Sequence, residues 1–327
     1  MQYIPPFTVS AKSISLIAEI SAAMENFSAM LKKSKSLKLR RANKIKTIHS
    51  SLAIEGNNMT RAQVSDILDG KRVAAAASEI LEVKNAIATY DLAPKLNPFS
   101  ERDLLRAHKK MMSRLVKGAG RFRTGGVGVF SGRSVIHIAP PAEQVSALVS
   151  RLFDWLKTSQ DHLLVRSCVF HYEFEFIHPF ADGNGRMGRL WQSLILSKLN
   201  PAFMDLPVET MVYKRQKKYY EAINSSTKQA DCAPFIEFML GEILNSVKAA
   251  AGENFGAANG AVFGAVNLIL SYVSKNGGKR ANAIAEVLGV PLRTVQRHLK
   301  TLKDSGKIKF EGAAKTGGYF AVKKRGR

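Results

Sequence analysis

The sequence predicts a mainly α-helical protein with one short β-hairpin, followed by a smaller and strongly basic second domain. Three observations carry this. Apolar residues recur at helical spacing through most of residues 8–249. One stretch near residue 130 switches to glycine and β-branched residues. A Gly- and Ala-rich segment, residues 249–260, then precedes a basic end and reads as a hinge or linker. The 327 residues are about twice the ~150 of one typical domain. The expected partition is an N-terminal helical region at 1–95, a core at 96–250 and a C-terminal domain at 251–327.

Taken in order, Thr60-Arg61-Ala62-Gln63 and Ser100-Glu101-Arg102-Asp103 read as helix starts, the first matching a capping box. After the second, Leu104, Leu105, Met111, Met112 and Leu115 fit one helix face. Similar spacing predicts helices at 142–157, 162–176, 186–199, 212–225 and 233–248. Between Arg121 and Pro141 the pattern breaks. Gly126, Val127, Gly128 and Val129 alternate, Ser-Gly interrupts, and Val135-Ile136-His137-Ile138 follows, a short hairpin closed by Pro140-Pro141.

Lys and Arg number 49 against 26 Asp and Glu, a formal charge of +23 that points to polyanionic partners. The charge is clustered. Residues 31–46 carry eight basic side chains and no acidic one, but nothing beside them raises the run above a solvated face. No continuous apolar run approaches the ~18 residues that would span a bilayer, and the N-terminus does not read as a secretory signal. Two cysteines, Cys168 and Cys232, cannot form a disulfide framework in a chain this long. The expectation is a soluble, cytoplasmic protein without a membrane partner.

Residues 257–327 hold fourteen basic and three acidic side chains, +11 in all. Within them, residues 281–305 show a helix-turn-helix pattern. Ala285 is the small residue at a helix crossing, Gly289 serves the turn, and Pro291 opens the second helix. That helix puts Leu292, Val295, Leu299 and Leu302 on one face and Arg293, Thr294, Arg297 and Lys300 on the other. Lys307-Ile308-Lys309-Phe310 and Tyr319-Phe320-Ala321-Val322, joined through 312–318, read as two strands and a wing. The whole resembles a winged helix. Its basic second helix and the tail Lys323-Lys324-Arg325-Gly326-Arg327 suit DNA, while a domain serving protein contacts alone stays open as the alternative.

The sharpest feature is His178-Pro179-Phe180-Ala181-Asp182-Gly183-Asn184-Gly185-Arg186-Met187-Gly188-Arg189. Two glycines flanking Asn184 at a helix start leave backbone N–H groups uncovered, which with the helix dipole makes an anion site. Arg186 and Arg189, three apart, can both reach a polyphosphate. Asp182 offers the hard oxygen that Mg²⁺ uses beside substrate phosphates, and His178 suits general-base work.

This arrangement resembles the Fic family motif, His-x-Phe-x-Asp/Glu-Gly-Asn-Gly-x-x-x-Arg, at every fixed position, and the resemblance extends over about residues 35–250. It implies a Fic-type helical bundle in which His178 deprotonates a target hydroxyl that attacks the α-phosphate of a nucleotide. Asp182 would hold Mg²⁺. Gly183, Asn184 and Gly185 would form the anion nest, Arg186 and Arg189 would clamp distal phosphates, and Phe180 would anchor the loop. Ser51-Leu52-Ala53-Ile54-Glu55-Gly56-Asn57 is similar to the family's inhibitory segment, in which Glu55 would pair with Arg189 and deny it to the γ-phosphate. Residues 127–138 resemble the flap that receives a target strand, with His137 a flap surface residue. Tyr219-Tyr220 resembles the helix bordering the adenine ring, with a plain core role as the alternative. Cys168, Cys232, His171 and His49 read as structural.

The implied activity is Mg²⁺-dependent transfer of AMP from ATP to a hydroxyl side chain (Ser, Thr or Tyr) of a target protein or of the chain itself, with a homodimer as a candidate assembly. The alternatives are removal of AMP, transfer of another nucleotide, or an ATP-responsive DNA-binding regulator without turnover.

Overall fold

A computed structural model describes residues 3–32, 36–126, 128–131, 134–258, 269–270, 272–274, 276–288, 292–304, 308–313 and 317–322. The chain divides into two units, Met1–Lys248 and Ala249–Arg327.

In the first unit the helices are α1 (Ala11–Leu31), α2 (Ser36–Ile54), α3 (Arg61–Leu68), α4 (Ala77–Leu92), α5 (Glu101–Met111), α6 (Ala142–Thr158), α7 (Leu163–Ile177), α8 (Asn184–Ser197), α9 (Val208–Lys214) and α10 (Gln216–Gln229). Helix α11 follows as Ala233–Ala258. Strands β1 (Gly128–Ser131) and β2 (Ser134–Ile138) form the expected hairpin between α5 and α6. They pair antiparallel, Gly128 opposite Ile138 and Ser131 opposite Ser134, with a register shift between Val129 and Phe130.

The core is centred on α7, which buries residues around most of its circumference, His171 and Glu173 among them. Such a helix is stable only when other helices cover it all round. Val169, Phe170 and Phe174 are fully buried, and Phe153 of α6 stands edge-on to both Phe170 and Trp191 of α8. The buried indole N–H of Trp191 donates to the Pro98 carbonyl at 2.9 Å, so the ring carries no orphan donor into the core. Helix starts are capped as the sequence predicts. The Thr60 side chain and Gln63 exchange both bonds of a capping box, and Ser100 accepts from the Asp103 N–H.

One expected helix is corrected, and two further segments gain detail. The predicted helix at 212–225 breaks at Arg215 (φ −121°, ψ 30°), where α9 ends and α10 begins. The segment proposed as a hinge is helical through Ala258, because its alanines favour helix more than its glycines oppose it. Helix α1 is long and apolar enough to cross a membrane by length and composition alone. The absence of a continuous apolar run concealed this, since Ser, Ala and two Glu are interleaved. In the structure Ile20, Met24, Phe27 and Leu31, at helical spacing, are buried.

The second unit contains α12 (Ala281–Leu288), α13 (Leu292–Asp304), β3 (Ile308–Glu311) and β4 (Gly318–Ala321). The strands pair antiparallel from Ile308 opposite Ala321 to Glu311 opposite Gly318, and Tyr319 also bridges Lys279. Ile269, Val273, Ile284, Val295, Leu299, Leu302 and Ile308 form its core. Leu292, expected on the apolar face, is 39% exposed because it starts the helix, while Arg297 and Lys300 are exposed as expected. Gly289, Pro291, Lys307, the side chains of Arg293 and Thr294, and the tail at 323–327 lie outside the described residues.

Candidate active site

Helix α7 ends at Ile177, and His178 caps it in the left-handed conformation (φ 50°), closed by a bond from its own N–H to the Phe174 carbonyl. A side-chain-bearing residue is strained there, so the surroundings must hold it. The imidazole is 19% exposed. Its Nδ1 lies 3.4 Å from the Glu175 carbonyl and 4.0 Å from the Glu175 carboxylate.

The loop that follows is tied from both sides. Phe180 is fully buried and its ring stacks on His108 of α5, centroids 3.6 Å apart and planes 3° apart. His108 accepts the Gly120 N–H at Nδ1 (2.8 Å), which leaves Nε2 as the donor to the Asp182 carbonyl at 3.0 Å. Burial lowers the His108 pKa to about 4, so this link persists through the neutral range. Asn184 closes the loop on itself, accepting the Phe180 N–H and donating to the Phe180 carbonyl, each at 2.8 Å. Its side chain is thereby committed to the loop, and what it offers an anion is its backbone.

Gly183 begins α8 with φ 87°, and a Cβ there would come within 2.7 Å of the Met112 sulfur. Both features require glycine. The Asp182 carboxylate, 54% exposed, accepts from the Gly183 N–H and from Arg186 at 2.9 Å. Arg186, which the sequence assigned to phosphate, is only 4% exposed and also lies 3.8 Å from Glu82.

Arg189 is buried one turn further on. Its Nη2 donates to Glu55 Oε1 at 2.7 Å and to the Ser51 carbonyl at 3.0 Å, and its Nε to Ser51 Oγ at 3.2 Å. Burial, the largest influence, would lower its pKa, but Glu55 together with Tyr219 and Glu175 outweighs it and holds the guanidinium more firmly charged than usual. The Glu55 carboxylate lies so close to the start of α8 that a Cβ on Gly185 would stand 2.5 Å from it. It therefore covers the backbone at the positive end of the helix, where an anion is favoured. Gly56 (φ 92°) ends the segment just past α2.

Behind Arg189 the site is lined by titratable groups. Burial pushes Glu175 up to about 7, with Glu55 reinforcing and Arg189 opposing. Burial does the same to Glu209, to about 7. Tyr219 lies in the core, the second of its two expected readings. Its ring is 3% exposed, packs near Phe235 and Phe238, and its hydroxyl meets His171 Nε2 at 3.1 Å, so it is part of the core. Its neighbour Tyr220 is partly exposed. His171, lowered to about 4 by burial, also bonds Gln192 at 2.8 Å. Cys168 and Cys232 are buried free thiols, and His49 stands edge-on to Tyr213. In the basic stretch, Arg40, Arg41 and Lys44 pair with Asp205, Asp69 and Asp91, which accounts for three of its charges.

Sequence reasoning missed His108, Arg123, Glu175 and Glu209. Each acts through backbone groups or buried neighbours, for which residue spacing carries no signal. Among the described residues no group of three His, Cys, Asp or Glu could hold a metal alone. A half-exposed Asp182 carboxylate at the start of α8 fits a Mg²⁺ held largely by substrate phosphate oxygens.

The fold and this junction define a helical protein in which a histidine, a half-exposed carboxylate and two buried arginines gather at the start of one helix. Residues 98–196 match the Fic/DOC family, and residues 267–309 match winged helix-turn-helix DNA-binding domains. A crystal structure of a Fic family protein from Desulfovibrio desulfuricans G20 is 40% identical, with a TM-score of 0.75, and the match covers 99% of this chain and 100% of that one. The chain belongs to the Fic family. The protein adenylyltransferase Fic of Culex quinquefasciatus is 33% identical over 218 residues, covering 62% of this chain and 41% of the relative. That of Nematostella vectensis is 28% identical, covering 62% and 48%. The chain thus spans less than half the length of these curated relatives.

Proposed function

We propose that this chain is an autoinhibited protein adenylyltransferase that moves AMP from ATP to a hydroxyl side chain of a protein target or of itself. The observation that carries this is the Glu55 carboxylate seated over the first turn of α8 and bonded to Arg189. A carboxylate there occupies an anion position that a nucleotide phosphate would use, and it takes the guanidinium that would steady that phosphate.

In the reaction, His178 accepts the proton of the target hydroxyl. The oxygen bonds to the α-phosphorus, the bond to the bridging β-phosphate oxygen breaks, and pyrophosphate leaves. With Nδ1 turned to the Glu175 carbonyl, Nε2 is the nitrogen assigned to take the proton. The N–H groups at the start of α8 and Arg189 offset negative charge on the phosphates. Bound Mg²⁺, with Asp182 among its holders, would neutralise phosphate charge further. The hairpin β1–β2 would take the target segment as an added strand, held by main-chain bonds.

The test is intact mass after incubation with ATP and Mg²⁺ for wild type, Glu55→Gly and Glu55→Gly/His178→Ala. AMP added to the single variant and absent from the double supports base and brake together. No added mass, even with cell-extract proteins as targets, would overturn transfer in favour of AMP removal or nucleotide sensing. For the second unit we propose DNA binding, on the match at residues 267–309 and the exposed Arg297 and Lys300 of α13.

A further inference from the structure

Arg123 lies between α5 and the hairpin and is 6% exposed. Its side chain is directed at backbone carbonyls. Nε donates to His178 O (2.8 Å), Nη1 to Gly125 O (2.9 Å), and Nη2 to Pro140 O (2.5 Å) and Ile177 O (3.2 Å). Its own amide N–H donates to Pro179 O at 2.9 Å.

These acceptors fall into two sets. Ile177, His178 and Pro179 are consecutive, so the peptide units on both sides of the His178 Cα are held, along with the next. They stand at the negative end of α7, where carbonyls lack helical partners and a cation is favoured. Gly125 and Pro140 are the two stems of the hairpin, just outside β1 and β2. Only a planar fork with several fixed donors can serve acceptors on three separate segments; an ammonium is a point charge that cannot span them. Burial draws the pKa of Arg123 down and Glu143 opposes this, but no carboxylate is hydrogen-bonded to the guanidinium among the contacts described.

We propose that Arg123 is a positioning residue that fixes the left-handed backbone of His178 and the root of the hairpin as one unit. A segment docked on the hairpin and the imidazole that takes its proton are thereby held in mutual register. This rests on the reading of His178 as base and of the hairpin as docking strand.

The test compares Arg123→Lys and Arg123→Gln in the Glu55→Gly background. Both are expected to speed amide hydrogen exchange in residues 124–141 and 177–181 together by about tenfold or more, with residues 233–248 little changed. Self-modification should fall at least about tenfold, Arg123→Lys less than Arg123→Gln, while a non-hydrolysable ATP analogue with Mg²⁺ binds within about threefold of the parent. Faster exchange in one segment alone, or analogue binding lost in step with rate, overturns the proposal. In the unsubstituted chain, which needs no variant to fold, the two segments should open with one common dependence on dilute urea; separate openings also overturn it. If the Glu55→Gly parent adds no AMP, the proposed function fails, and the paired exchange result still decides the role of Arg123.

Discussion

Glu55 and Arg189 stand 134 residues apart in the chain and meet at 2.7 Å, the carboxylate 33% exposed and the guanidinium 3%. The pair is therefore lopsided. The carboxylate can be rehydrated on leaving, whereas Arg189 stays buried and charged with Ser51 as its remaining hydrogen-bond partner among those described, so the cost of parting falls mainly on the arginine. A buried cation deprived of its counter-ion strongly favours an incoming anion.

Replacing Glu55 with Gly is accordingly expected to raise AMP transfer by at least about tenfold, read as added mass over time. It should also lower stability by about 1–3 kcal/mol, less than for a fully buried pair because Glu55 is part-exposed and Arg189 keeps its Ser51 bonds. Equal transfer rates for the two proteins would sink the brake.

His178→Ala in that background should cost roughly 10²–10⁴-fold in rate, the usual contribution of a general base. His178→Asn should lose the same activity yet unfold at a higher temperature than His178→Ala, since asparagine tolerates the left-handed cap better. A His178→Asn chain that transfers at the parental rate would remove His178 from the mechanism.

Gly185→Ala separates the brake from the anion site. Its Cβ would stand 2.5 Å from Glu55 Oε1 and 2.8 Å from Arg189 Nη1, both ends of side chains rather than backbone, so the fold should survive with a loss of about 1–3 kcal/mol, comparable to that of Glu55→Gly. The methyl group displaces Glu55 but occupies the approach to the helix start. Transfer should therefore stay low, unlike in Glu55→Gly, and binding of an ATP analogue should weaken. A gain in rate matching that of Glu55→Gly would contradict the placement of phosphate over α8.

Acidity should act through Glu209. Burial raises its pKa from 4.5 to about 7, so its stabilising contribution is fully present below about 4.5 and is lost as pH rises through about 7. His108 and His171, both lowered to about 4, have the opposite sign and lose their contribution as pH falls from about 6.5 toward 4. Comparing wild type with Glu209→Gln cancels the histidines. Between pH 5 and pH 8 the difference should shift in favour of the variant by up to ~3 kcal/mol, measured by urea unfolding. A difference independent of pH would show that Glu209 does not titrate in that range.

For the second unit, Arg297→Ala/Lys300→Ala should weaken binding to duplex DNA about equally across sequences and flatten its dependence on salt by ~1–2 in log–log slope. An unchanged slope in a gel-shift titration would assign these residues another role.

The legible part of the site is its contiguous part. His178 through Arg189 lie within one loop and one helical turn beyond it, where spacing alone fixes which groups share a face. Glu55 was legible because its segment resembles one already associated with such a loop. His108 and Arg123 were not, since their bonds run to carbonyls 74 and 55 residues away, and any residue type supplies a carbonyl. The break at Arg215 was hidden because both flanking helices keep one apolar rhythm. Tyr219 was ambiguous for the opposite reason: an aromatic on a helix fits a core and a base platform equally well, and only its bond to His171 decides.

Ser51 and Glu55 are one turn apart around the end of α2, and together they supply all three of the bonds described for the Arg189 guanidinium. Because the blocker and the blocked group share one polypeptide, the effective concentration of the carboxylate is set by the fold and is indifferent to dilution. Unwinding or turning that single helical turn breaks every one of these contacts at once. On the proposed reading, release is then an all-or-none event at one lever, answering to whatever grips the end of α2 and not to how much protein is present.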